Sequence, residues 1–240
     1  MVGITLPDEA GAHAPATRAA GIHAADDGPG PASVAPLAAV GERGSGLDPL
    51  TDAEARRAEA LARAADRGDA RDVAGGRGPQ RLTVGLADPA GHATEGSAAP
   101  TGARRAEVRL YDYTSDQLLT RTVDLTTGRV ERTTVQRGVQ PSPHHEELRE
   151  ALTLILASPQ GSGLRAAYRD ATGRALTTPE QLWFNGEIYR TYREARVPAA
   201  LARCGEHRCV RLVTKVRNGP WIELRGLVVD LSARTVVRTA

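Results

Sequence analysis

Residues 208–240 read RCVRLVTKVRNGPWIELRGLVVDLSARTVVRTA, and their patterning decides the fold. Val210, Leu212, Thr214 and Val216 alternate with Arg211, Val213, Lys215 and Arg217. That is the two-residue period of a strand with one buried face. Asn218-Gly219-Pro220 is a turn signal, because Asn and Gly tolerate positive φ. A second run extends from Trp221 to Leu231 and a third from Thr235 to Thr239. The stretch is predicted to be an antiparallel meander.

The same pattern occurs earlier. Leu82, Val84 and Leu86 mark a first strand, and 104–113, 118–125 and 129–136 three more, with turns at Thr114-Ser115-Asp116 and Thr126-Thr127-Gly128. A helix precedes them. Thr51 and Glu54 have the spacing of a capping box, and Ala55, Ala58, Leu61, Ala62 and Ala65 give a weakly apolar face to about Asp66. A second helix is expected after Gly138-Val139-Gln140-Pro141, with Ser142 as its cap and Pro143 at its first position. Its apolar stripe is Leu148, Ala151, Leu152, Ile155 and Leu156, Glu146 and Glu147 suit its positive end, and Ser158-Pro159 stops it. From Leu164 to Ala202 the pattern is irregular, with short extended pieces expected at 164–168 and 175–176.

Thr122-Val123-Asp124-Leu125 and Val228-Val229-Asp230-Leu231 each lead through a tight turn into an Arg- and Val-bearing strand, 106 residues apart (122 to 228). At that offset Val108 and Leu110 fall opposite Thr214 and Val216. The pattern predicts an α+β chain of two like modules, 47–140 and 141–240, each a helix on a roughly four-stranded antiparallel sheet. The aspartates are expected to bind the backbone of the turns that follow them.

Composition bounds the function. The 240 residues carry a net charge of +2, and Lys215 is the one lysine among 31 basic residues. No dense basic cluster argues for nucleic acid, and no stretch is long and apolar enough to span a membrane. Residues 13–46 are Ala-, Gly- and Pro-rich and read as a disordered linker. Residues 1–12 read as the remnant of a secretory signal, Ala10 and Ala12 having small-x-small spacing; an Ala-rich cytosolic start is the alternative. No serine elbow, His-Glu-x-x-His or phosphate loop is present, and no cofactor is expected.

Cys204 and Cys209 in CGEHRC favour a local disulfide in a secreted chain. The alternatives are free thiols, or a metal held with His207, which supplies three donors where a structural zinc site takes four. His144 and His145 are a weaker candidate pair for copper or zinc. Trp183, Phe184, Tyr189 and Tyr192 form the densest aromatic cluster, reading either as a local mini-core or as a ligand groove.

Leu47-Asp48-Pro49-Leu50-Thr51-Asp52-Ala53-Glu54 resembles the opening of the small N-terminal domains of copper amine oxidases. So does the strand, VDL turn and Arg-Val strand leading to Gly138-Val139-Gln140-Pro141. The resemblance covers about 48–160 and implies a tandem pair of cystatin-like modules. The whole also looks like a family of actinobacterial proteins with twin-arginine (Tat) export signals. In the oxidases the chemistry belongs to a larger domain with copper-binding histidines and a quinone made from the first tyrosine of Asn-Tyr-Asp/Glu-Tyr. Leu110-Tyr111-Asp112-Tyr113 lacks the asparagine, and no His-x-His pair occurs. The resemblance therefore implies fold rather than oxidase activity. The expectation is a secreted, non-enzymatic binding or accessory module with an extracellular protein or ligand as partner. The alternatives are a copper- or metal-binding protein and an accessory subunit of an amine oxidase.

Overall fold

The computed structural model describes residues 43–66, 68–88 and 104–239. The expected signal remnant 1–12, the linker as far as residue 42 and the tip of the loop after Leu86 lie outside them.

Helix α1 spans Asp52–Ala64. Thr51 Oγ1 accepts the Glu54 N–H at 3.2 Å, and the Glu54 carboxylate accepts the Thr51 N–H at 3.0 Å. Arg104 then grips the same carboxylate through Nε at 2.8 Å and Nη2 at 3.0 Å. Burial favours the neutral acid, but the Arg104 and backbone bonds outweigh it and hold Glu54 below its ordinary value. Its stabilisation is therefore present at neutral pH and is lost as pH falls. At the other end of α1, buried Arg121 donates to the Ala62 carbonyl and pairs with Asp66 at 3.5 Å. One of the carbonyls that a helix terminus leaves unpaired is thereby satisfied.

The first sheet is an antiparallel meander of β1 (Gln80–Leu86), β2 (Arg105–Asp112), β3 (Gln117–Asp124) and β4 (Arg129–Arg137), in that order. Ala58 and Ala62 of α1 pack on Ala106, Val108, Leu110, Leu119, Val123 and Leu125. The small alanines bring the helix close to the sheet, so an aliphatic core suffices.

Helix α2 spans His145–Ala157 and α3 Ser162–Thr172. The cap of α2 is His144 rather than Ser142: its Nδ1 accepts the Glu146 N–H, and the Glu147 carboxylate accepts the His144 N–H. The α3 helix corrects the extended reading of 164–168. Ser158 and Pro159 do stop α2, but Ser158 Oγ caps a single 3-10 turn that launches a new helix. Only Leu164 and Tyr168 of α3 are buried, one turn apart, too short a stripe to announce a helix.

The second sheet contains β5 (Leu182–Ile188), β6 (Cys209–Val216), β7 (Trp221–Ile222), β8 (Leu227–Asp230) and β9 (Thr235–Arg238). Its order is β5-β6-β8-β9, with β7 also pairing β6. The run from Trp221 to Leu231 is thus two short strands. The turn at Asn218, with φ 58°, brings β7 back along β6. The chain then leaves the sheet and rejoins the far end of β6 as β8. Among the described residues two antiparallel sheets, of four and five strands, define an α+β architecture. In the first sheet Arg105 pairs with Asp124, and in the second Cys209 pairs with Asp230. An offset of 106 carries Asp124 to Asp230 but Arg105 to Arg211, so β6 is displaced by two residues from that alignment. An even slip preserves which face is buried.

Leu148, Ala151, Leu152 and Ile155 of α2 join Leu164, Tyr168, Leu182, Phe184, Ile188, Val210 and Leu212 in the larger core. Val73, from the connection between α1 and β1, enters this core too. Gly186 lets α2 lie on bare backbone: a Cβ there would meet Leu148 Cδ2 at 2.7 Å and the Arg211 carbonyl oxygen at 2.6 Å.

Candidate functional site

Among the described residues, chemistry-bearing side chains gather in a buried polar network beside the cystine and on the outer face of the second sheet. The network centres on Arg208, which is fully buried. Its guanidinium meets Glu147 of α2 through Nε–Oε1 at 2.5 Å and Nη2–Oε2 at 2.9 Å. Nη1 donates to Gln140 Oε1 and the Pro141 carbonyl, and Nη2 to the Ser142 carbonyl. Tyr113 donates to Glu147 at 2.5 Å, and the Arg208 guanidinium lies 5.1 Å from the Tyr111 ring centre. Burial alone would lower the Arg208 pKa, but its bond to Glu147 outweighs that and raises it. Burial, reinforced by the Glu147 charge, pushes the Tyr113 phenol well up, so it serves as a hydrogen-bond donor and not as a base. The Tyr111 phenol is raised too, by burial and then by Asp116.

The Cys204–Cys209 disulfide forms, with Cα atoms 5.6 Å apart. Gly205, at φ +114°, makes the tight loop that a side chain would strain. The imidazole of His207 is buried, with Nδ1 2.7 Å from Asp230 Oδ2 and Nε2 3.8 Å from Asp116 Oδ2. Asp116 Oδ1 accepts from Ser232 Oγ at 2.5 Å and from the Tyr111 hydroxyl at 3.3 Å. Asp124 and Asp230 both accept turn amides, from Thr126 and Thr127 and from Ala233 respectively. Asp230 has the additional histidine bond.

The two adjacent histidines are not brought together as ligands. His144 Nδ1 caps α2, and its Nε2 faces Arg81 at 3.3 Å. Burial and then the Arg81 charge lower its pKa. His145 stacks on Phe184, ring centres 4.7 Å apart.

The aromatic cluster is divided. Phe184 is buried in the larger core and Tyr189 in a smaller cluster with Leu201, Cys204, Cys209 and Val228, whereas Trp183 is 40% exposed and Tyr192 is 75% exposed. Trp183 pairs across to Lys215, and Lys215 to Trp221, so the three form one row on the outer face. The indoles meet edge-on at 5.5 Å, with the Lys215 ammonium 5.4 and 5.5 Å from their centres. Beside the row is a cavity of about 350 Å³ lined by His145, Arg149, Glu180, Trp183, Asn185 and Arg217, among others.

No local pattern marks Arg208, Glu147, Gln140 and the two tyrosines as one network. Arg208 sits in a charged loop, and Glu147 has the ordinary address of a helix-start acid. Among the described residues no helix is long and apolar enough to cross a membrane.

Fold and site define an α+β chain with two antiparallel sheets joined by a buried ionic network. No family model matches the sequence, and no curated protein matches it. Among solved structures the chain is loosely similar to a copper-containing benzylamine oxidase from Hansenula polymorpha, at 14% identity and a TM-score of 0.45. That alignment covers 80% of this chain and 29% of the oxidase chain.

Proposed function

We propose that this chain is a secreted, non-catalytic binding or accessory module of two cystatin-like α+β units, and that it binds through the Trp183–Lys215–Trp221 row. The observation that carries the reading is the placement of the chain's only two tryptophans. Both stand on the open face of the second sheet, Trp183 40% and Trp221 65% exposed. Burying a Trp brings a large apolar gain, and Trp is enriched among the residues that dominate binding energy. Arg149 and Arg217 beside the neighbouring cavity outnumber Glu180. The ligand class that fits is a carboxylate-bearing one with a flat apolar face. The polar groups of the buried network, by contrast, are occupied with one another.

The test is titration of the oxidised protein with oligogalacturonate, followed by tryptophan fluorescence. Binding should perturb the signal, and Trp183→Ala should weaken it about thirtyfold, the scale of a 2 kcal/mol anchor. An unchanged spectrum, or equal binding by Trp183→Ala, overturns the surface assignment. Export is tested by the intact mass of protein recovered from the host's culture fluid without reductant. A chain beginning near His13 and lighter by two hydrogens supports secretion. A full-length intracellular chain with free thiols overturns it.

A further inference from the structure

The four residues Cys204, Cys209, His207 and Asp230 carry an inference independent of the binding face. The two sulfurs and a carboxylate oxygen of Asp230 lie within 4.8 Å of one another, and all three residues are buried. His207 Nδ1 is 2.7 Å from Asp230 Oδ2. The loop CGEHRC on its own offers three donors, and the end of β8 brings the fourth. We infer that reducing the Cys204–Cys209 bond creates a four-donor site for a divalent metal of the zinc class. Its ligands are both thiolates, His207 Nδ1 and the Asp230 carboxylate.

The surroundings match what such a site needs. A metal-bound histidine ordinarily gives its other ring nitrogen to a carboxylate, which fixes the ring. Here His207 Nε2 faces Asp116 Oδ2 at 3.8 Å. Asp116 is itself held through Oδ1 by Ser232 and Tyr111. Asp230 Oδ1 is committed to the Ala233 N–H, which leaves Oδ2 on the histidine side. A cleft of about 210 Å³, lined by Asp116, Arg137, Gly138, Arg203 and Glu206 among others, lies beside the loop.

The chemistry balances. A dithiol supplies two electrons and two protons and is itself oxidised to a disulfide. The Cys204–Cys209 S–S bond breaks and two S–H bonds form. The metal then displaces both thiol protons. The sulfurs part to about 3.7 Å, as tetrahedral bonds of about 2.3 Å require. A disulfide oxidant takes the two electrons back and is reduced to its dithiol, the Cys204–Cys209 bond re-forms and the metal is released, so occupancy follows the dithiol–disulfide balance of the compartment.

The full chain, reduced with dithiothreitol and desalted anaerobically, is titrated with Co(II). The expected result is one equivalent bound, with a sulfur-to-cobalt charge-transfer band and the visible bands of tetrahedral cobalt. The oxidised chain should give neither. Asp116→Asn should weaken binding roughly 10- to 100-fold, and Asp230→Asn and His207→Gln should weaken it further. Asn at 230 keeps the oxygen that the Ala233 N–H needs. Absence of the charge-transfer band overturns the inference, as does wild-type affinity in both ligand variants, which would mean chelation by the thiols alone. Should reduction unfold the chain, recovery of its near-ultraviolet circular dichroism on adding cobalt supports the site, and no recovery overturns it. The oligogalacturonate titration uses oxidised protein, so either result can fail alone.

Discussion

Glu147→Ala is expected to destabilise the fold by about 3–5 kcal/mol, the usual cost of leaving one partner of a buried ion pair alone. The Arg208 guanidinium would remain fully buried without its carboxylate. The carbonyls of Pro141 and Ser142 and the Gln140 amide would still accept its protons, but none carries a charge. Tyr113 would lose its acceptor as well. Glu147→Gln should cost less, because an amide oxygen keeps one bond to the arginine. The double variant Glu147→Met/Arg208→Met should recover part of the loss, since apolar replacement of a whole buried pair is often tolerated. Urea denaturation read by tryptophan fluorescence checks all three. A loss below about 1 kcal/mol for Glu147→Ala would show that the pair does not hold the junction.

Leu152→Ala should cost about 2–5 kcal/mol. Leu152 is fully buried on the face of α2 that meets the second sheet. Deletion removes its transfer free energy and leaves a cavity, because neighbours such as Ile155, Leu182 and Leu212 are themselves fully buried and cannot all collapse inward. Chemical denaturation measures the loss. Val213→Ala, at a 40% exposed position on the opposite face of the sheet, is the control and should cost far less. Similar losses for the two would mean that α2 is not seated on this core. The two large predictions share one helix: α2 sends Leu152 into the core and Glu147 into the ionic junction.

Reading the residues in order recovers much of this architecture, for identifiable reasons. The capping box of Thr51 and Glu54 is a three-residue relation, and α1 begins where it predicts. Period-two alternation places β1 and β6, because a strand with one buried face writes itself directly into sequence, and the turns at 114–116 and 126–128 bound β2, β3 and β4. The cysteines are close enough in sequence that their loop brings them together. The α3 helix is not legible, having only two buried anchors, and the tail of the meander, one run in sequence, is two short strands. Leu224 lies between β7 and β8 and is buried, so its apolarity continued the pattern although it belongs to a loop.

The sites divide in the same way. Local chemistry singled out Cys204, His207 and Cys209 but could not supply Asp230, which reaches the loop only because β8 pairs with β6. It singled out Glu147 as a helix-start acid but could not join it to Arg208, 61 residues away. What the sequence determined by itself were relations closed within a few residues: the α1 capping box, the hairpin turns, the alternation of β6 and the cystine loop, though not the cap of α2. Only the tertiary structure decided the partners of the buried charges and which aromatics face water. A charged side chain can be buried only where distant segments bring it a counter-charge, and no local pattern encodes that meeting.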